Sequence, residues 1–556
     1  MRVLSFLLVI LLIALKGFAQ DEVNDPIREL IRNRMELVDT PSGPEHGDLN
    51  IYAPTLLSKF YESRGYKPTW STDGRLNIPV YQMVDMISKS SEDGLDPSVY
   101  HLRQIQDLVE LISSGSEKVS ESLEENYLTD LDLLLSDAFF TLGSHLHSGR
   151  INPETLQPQW DISNGPLPII DQLTKAMMDG NIETVYSQLV PKNAQYLALK
   201  HYLKTYRLIQ DQGGWPALPD NASLTPGDRS RNIPLLRQRL QAEHYLDSRS
   251  VEDSLLFSQN LVNALRKFQE NHGLEEDGIV DSQTLFQLNQ PVAERIDQLI
   301  INMERFRWLN ASTDTYYVDV NIADYRMSLF RDNTRVLSMR AIVGKPYRKT
   351  PVFSDEITYL VFNPIWYIPR SIAVKDFLPD IQKNPNYLKK HHIKVFLGWG
   401  SDETEIDPST IEWDRLDANN FNYYLRQKPG PWNSLGRVKF MFPNRYNVYL
   451  HDTPARELFS RVQRTFSSGC IRLENAIDLA VYLLNSDAGW TRKQVMDAID
   501  SGKEMTVDLS NPIPIHINYT TTWVNDHNEL QFRYDIYGRD RRLWYALNQR
   551  YLFISK

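Results

Sequence analysis

Cysteine is almost absent from this chain: Cys470 is the only one in 556 residues. A lone cysteine excludes an intrachain disulfide framework and every zinc site built on paired cysteines. Clusters of positive charge are missing as well. No run of six or more Lys/Arg occurs and the formal net charge is -11, so nucleic acid is set aside as a partner. Long apolar runs are scarce. Residues 3–15 form one of 13 residues, short of the roughly 20 that a spanning helix needs. Arg2 before it and Gly17-Phe18-Ala19 after it complete the layout of a secretory signal peptide over residues 1–19, with an uncleaved anchor as the competing reading. The mature chain is expected to be exported and soluble.

What is present is ordinary in bulk. A hydrophobic content of 42% with 24% charged residues is that of a globular protein. The length suggests three or four domains. Residues 20–225 read as a helical scaffold. Residues 27–37 carry apolar positions at helical spacing, and 128–146 form a long apolar helix stopped by Gly149 and Pro153. Tyr52, Phe60, Tyr61, Trp70 and Tyr100 read as core. His145 and His147 point in different directions on that helix, and His391-His392 is no better a pair, so no metal and no cofactor is assigned. Glycine and proline crowd residues 212–228, a domain boundary.

Residues 226–292 then give two helical halves, 232–242 and 255–271, followed by Gly273-Leu274, Asp277-Gly278 and Thr284-Leu285. From 295 to 556 strands prevail. Residues 316–330 alternate, Arg331-Asp332-Asn333 turns, and 336–343 return as a β-hairpin. Strands follow at 358–362, 438–442 and 447–450, with strand-like runs at 513–524 and 530–537. The irregular, aromatic stretch 366–431, opening on Trp366, is too long for an inert loop and reads as a lid or substrate-binding element. The fold class is therefore α+β, multidomain: helical scaffold, small helical domain, mostly-β domain with an insertion.

His451 falls at a strand end, and Cys470 follows Gly469 just before a helical stretch at 475–485. Such a pair suits a nucleophile and its base, but a bare pair is more often a buried structural cysteine near an unrelated histidine. The surrounding words go further. The string HDTPARELFSRVQRTFSSGCIRLENA resembles the catalytic signature of the L,D-transpeptidase family, and PGPWNSLGRVKFMFPNRYNVYLHDTP resembles that of its large, multidomain periplasmic branch. Many smaller relatives carry Ser-His-Gly-Cys where this chain has Ser467-Ser468-Gly469-Cys470, which leaves His451 as the motif's one candidate base. The order FQxxxGL…DGIVD…TL resembles small peptidoglycan-binding domains of cell-wall enzymes; a spacer bundle is the plain alternative.

Acyl transfer between amines needs a nucleophile, a base, an oxyanion site and exclusion of water. Cys470 is the expected nucleophile and His451 the expected base. The amides of Gly469 and Cys470 are the expected oxyanion donors. Tyr449, two residues before His451 on a strand, shares its face and is expected at the substrate, with Ser468, Arg472 and Trp366. Asp452 points away from His451 and is assigned a solvent or capping role. The resemblance implies the rest: peptidoglycan stem peptides as substrates, a tetrapeptide donor releasing D-alanine, 3→3 cross-links, a cap over the site, acylation by carbapenems, and a periplasmic, wall-associated monomer. A stem-trimming carboxypeptidase or amidase using the same pair, and a non-catalytic wall-binding scaffold, are the alternatives.

Overall fold

The computed structural model describes residues 26–38, 49–114, 120–156, 160–161, 167–247, 253–309, 314–384, 386–398 and 400–549. The leader segment 1–19 lies outside the described residues. No described helix is long and apolar enough to cross a membrane.

Eight strands of a ten-stranded sheet build the domain that carries Cys470: β1 (Tyr316–Asn321), β2 (Arg326–Arg331), β3 (Thr334–Gly344), β4 (Val352–Phe362), β5 (Val438–Met441), β6 (Leu450–His451), β7 (Ile471–Leu473) and β8 (Met505–Asn518); Trp160–Asp161 and Thr465–Ser467 add to its edges. They pair in the order β5–β6–β7–β3–β2–β1–β8–β4, and β5 also pairs with β4, so the sheet closes on itself. Alternation explains the two surfaces. Val318 and Val320 are buried inside, while Tyr317, Asp319 and Asn321 between them face outward. Leu329, Met339, Leu360 and Ile515 join the inner core, which the helix Ala476–Ala488 completes. The hairpin expected over 316–343 is a three-stranded meander instead. The chain turns at Ala323-Asp324-Tyr325, with Tyr325 at φ 53°, and a turn lacking glycine and proline leaves no compositional mark.

The scaffold helices pack around Glu121–Ser148, 28 residues and about 42 Å long. It stops at Gly149, whose φ is 83° and where a Cβ would fall 2.4 Å from Trp308 Nε1, so backbone and space both demand glycine. The helix Ala194–Asp211 leaves that core and packs instead against Val292–Trp308. Val292–Trp308 is the spine of the molecule. Its Arg307 donates to the Asp93 carbonyl and pairs with Glu304 at 2.8 Å, while Arg305 pairs with Asp540 at 2.6 Å on the strand domain. Asp93 is fully buried and accepts from Tyr196 and Lys200, both at 2.9 Å. Removing one partner from such a network costs about 3–5 kcal/mol, because the other charge is left buried.

A hairpin near the C-terminus, Thr522–Val524 with Leu530–Phe532, is where three regions meet. Val524 exchanges two 2.8 Å hydrogen bonds with Gln195 of the scaffold. Gln531 donates to Asn271 at 2.8 Å, and Phe532 stacks on His272 at 5.4 Å, both in the small helical domain.

The insertion after β4 is a subdomain with its own four-stranded sheet (Trp366–Ile368, Ile393–Leu397, Thr404–Ile406, Tyr424–Gln427) and its own core. Its first helical turns pass through a π-helical segment, Ala373–Phe377.

Candidate active site

Three strands place the site. In the closed sheet Lys439 of β5 lies opposite His451 of β6, which lies beside Arg472 of β7. The three side chains form one row, so the imidazole sits between two cations. His451 is buried, and its Nδ1 lies 2.6 Å from the main-chain carbonyl of Asp452. An oxygen acceptor there holds the neutral ring's proton on Nδ1 and leaves the Nε2 lone pair as the basic position. Desolvation first, then Arg472, then Lys439, push the imidazole down to about 3, against a backbone contribution from Asp452 and Leu435. At neutral pH the ring is uncharged.

Cys470 stays partly exposed, and its thiol is raised above the ordinary value by desolvation. Hydrogen bonding to Tyr449 and the charges of Lys439 and Arg472 act the other way. Tyr449 is the shared neighbour: its ring meets the His451 ring edge-on at 5.6 Å, Lys439 Nζ stands 3.9 Å over it, and its hydroxyl partners the thiol. Arg472 has no acidic partner among the described residues, and its Nε is buried without a hydrogen bond. The thiol and imidazole make no direct hydrogen bond among the described residues.

The segment before the thiol is held from several sides. Gly469 adopts φ 123°, a conformation that side chains rarely enter, although a Cβ there would touch nothing within 4 Å. Its N–H donates to Ser467 Oγ at 3.1 Å, and its carbonyl accepts from the buried Thr350 at 2.8 Å. The Gly469 amide is thus already engaged; of the two amides assigned to an oxyanion, that of Cys470 is the one left for the role. Ser468 is exposed and accepts from Arg348 at 2.8 Å, and Arg348 also pairs with Asp376 of the inserted subdomain. That subdomain is thereby tied to the residue next but one before the thiol.

Two expectations change. Trp366 is buried in the inserted subdomain, edge-on to Phe377 at 5.7 Å, and serves its core rather than the site. Asp452 is buried, not solvated: its carboxylate accepts from the Arg437 amide at 2.8 Å and pairs with Arg456. Its contribution to His451 comes from the main chain. Sequence reasoning passed over Lys439, Arg348 and Thr350. A lysine inside the apolar strand run VKFMF was the one available signal.

With this geometry in hand, similarity to known proteins becomes informative. Residues 315–498 match the family model of the L,D-transpeptidase catalytic domain, 229–288 that described as "Putative peptidoglycan binding domain", and 55–203 that of the scaffold domain. Three regions of the chain thus match, in order, a scaffold domain, a peptidoglycan-binding domain and the L,D-transpeptidase catalytic domain. Among curated proteins it is 35% identical over 246 residues to one from Haemophilus influenzae named "Putative L,D-transpeptidase". That match covers 44% of this chain and 48% of the relative, so the chain spans about half of the relative's length. Among solved structures, an L,D-transpeptidase from Xylanimonas cellulosilytica is 14% identical over 55% of this chain and 98% of its own, at a TM-score of 0.19. L,D-transpeptidase 1 of Mycobacterium tuberculosis is 14% identical over 37% and 62%, at 0.16. Likeness this weak transfers no residue's role.

Proposed function

We propose that the chain is a cysteine L,D-transpeptidase that joins peptidoglycan stems by 3→3 cross-links, working outside the cytoplasm on the wall. The observation that carries the reading is the row Lys439–His451–Arg472 set around the Cys470 thiol, with the imidazole oriented by a main-chain carbonyl. A neutral imidazole held by its Nδ1 suits a base that acts at the moment of attack. His451 takes the thiol proton, and the thiolate adds to the carbonyl carbon of the stem's third residue. The oxyanion faces the Cys470 amide, and Lys439 and Arg472 favour both negative charges. Collapse breaks the amide bond and the leaving D-alanine amine takes the proton from the imidazolium. An acceptor amine then attacks the thioester, gives its proton to His451, and frees the thiol as the new amide forms. The thiol and ring close up when substrate packs beside Tyr449, as catalytic hydrogen bonds often do only in the complex.

The test is incubation of the chain, from residue 20 on, with a disaccharide-tetrapeptide, followed by mass spectrometry. A dimer lighter than two monomers by one alanine, absent with Cys470→Ala, is the expected result. Tripeptide without dimer replaces the reading with a hydrolase, and no change from a folded sample replaces it with a scaffold. A carbapenem is expected to add its mass to Cys470 alone.

A further inference from the structure

A cavity of about 1570 Å³ lies away from the thiol. It exceeds the roughly 300–1,000 Å³ of small-molecule pockets and suits part of a polymer. One wall is the outer face of the closed sheet and the other belongs to the domain at residues 229–288.

Strand register gives the sheet wall its order. Ser354, His516, Asp319, Ser328 and Ser338 stand directly opposite one another in turn across β4, β8, β1, β2 and β3. The row is about 19 Å long at the usual spacing of strands. Hydrogen bonds tie its ends, Ser354 to His516 at 2.8 Å and Ser328 to Ser338 at 3.3 Å. Beside it runs a second row, Asn518, Asn321, Arg326 and Arg340, and on the other side the stacked rings of Tyr317 and Phe330, 5.0 Å apart. Burial holds the Asp319 carboxyl up at about 7, so near neutrality it both donates and accepts. On the facing wall Phe286 is 54% exposed. Seven basic and eight acidic side chains line the cavity, so it offers a polyanion no net attraction. Planar polar groups beside aromatic faces, without net charge, suit a neutral chain of hydroxyls and amides: a carbohydrate strand.

The second row points to Cys470. Arg340 pairs with Glu474, and Glu474, Arg472 and Cys470 alternate along β7 and the residues on either side of it. From Glu474 to Cys470 is four residue steps, about 13 Å of strand. An extended tetrapeptide spans about the same distance.

We propose that the outer sheet face and the facing wall of the 229–288 domain form a track for the glycan strand of the wall, which lays a stem peptide along β7 toward Cys470. The stem's identity rests on the reading above, but the track is tested by binding alone. Stem-free glycan strands are titrated into the full chain carrying Cys470→Ala. Adding Ser338→Trp, which blocks one end of the first row, is expected to weaken binding about tenfold, the loss of one or two hydrogen bonds. Phe286→Ala, at an exposed position that the fold does not need, is expected to weaken it about fivefold. Unchanged affinity in Phe286→Ala overturns the proposal even should Ser338→Trp fail to fold. So does binding of sugar-free stems or of a polyanionic wall polymer in place of the glycan. Cross-linking of a soluble disaccharide-tetrapeptide by the chain with Cys470 intact is measured separately. Glycan binding without any dimer would retain the track and remove the transpeptidase.

Discussion

Two histidines on this sheet make opposite use of similar contacts. His516 bonds to Ser354 through Nδ1 at 2.8 Å and to Asp314 through Nε2 at 3.1 Å, a serine–histidine–aspartate chain. His451 Nδ1 meets the main-chain carbonyl of Asp452 at 2.6 Å. Yet Ser354 and His516 are opposed residues in the middle of an antiparallel ladder, where backbone amides are committed to the sheet and none is left for an oxyanion. His451 ends a two-residue strand, beside a loop that a positive-φ glycine bends around the thiol. Connectivity alone does not make a catalytic site. Unused donors at strand ends do.

The contrast can be broken most sharply by substitution. Cys470→Ala should lower cross-linking by about 10⁴-fold or more, and His451→Gln by about 10²–10⁴-fold. Ser354→Ala and His516→Gln should leave acylation of Cys470 by a carbapenem, which carries no sugar, unchanged. A comparable loss in either would move the chemistry to the other histidine.

Gly469→Ala comes next. Its Cβ meets no atom, so the cost is conformational, about 1–3 kcal/mol, read as a lowered melting temperature together with reduced cross-linking.

A third test uses pH. The His451 ring holds about 3 when folded against an ordinary 6.5 when unfolded, so between those values the unfolded state binds the extra proton. Stability present above pH 6.5 is therefore lost as pH falls toward 3, with a slope of up to about 1.4 kcal/mol per unit. Denaturant titrations of His451→Gln should show a flatter slope over that window; an identical slope would mean that the ring is not held neutral.

The smallest effect is that of Lys439→Met. Losing one of two cations should raise the thiol's apparent pKa, measured as the pH profile of iodoacetamide labelling at Cys470. No shift would leave Arg472 as the cation that matters.

Local pattern carries the Tyr449–His451 face and the glycine before the thiol, because both depend on neighbours in the chain. It does not carry the row around the imidazole. Lys439 meets His451 only through the register of paired strands, and Arg348 reaches Ser468 across 120 residues. The helix Val292–Trp308 shows the same limit. Its Glu304, Arg305 and Arg307 are buried, and the Ile151 amide, Asp540 and the Asp93 carbonyl reach them from distant segments. The meander at β1–β3 was hidden for a different reason, a turn built by Asp324 and a left-handed tyrosine.

The hairpin at Thr522–Val524 and Leu530–Phe532 sets a timetable for the molecule. It fastens both the scaffold, through Gln195, and the small helical domain, through Asn271. Those partners are synthesised more than 250 residues earlier. At about 5–20 residues per second, they exist for tens of seconds before their clasp does. Each must hold its own core in that interval, as their separate apolar clusters allow. The geometry linking them to the thiol is therefore the last thing that this chain acquires.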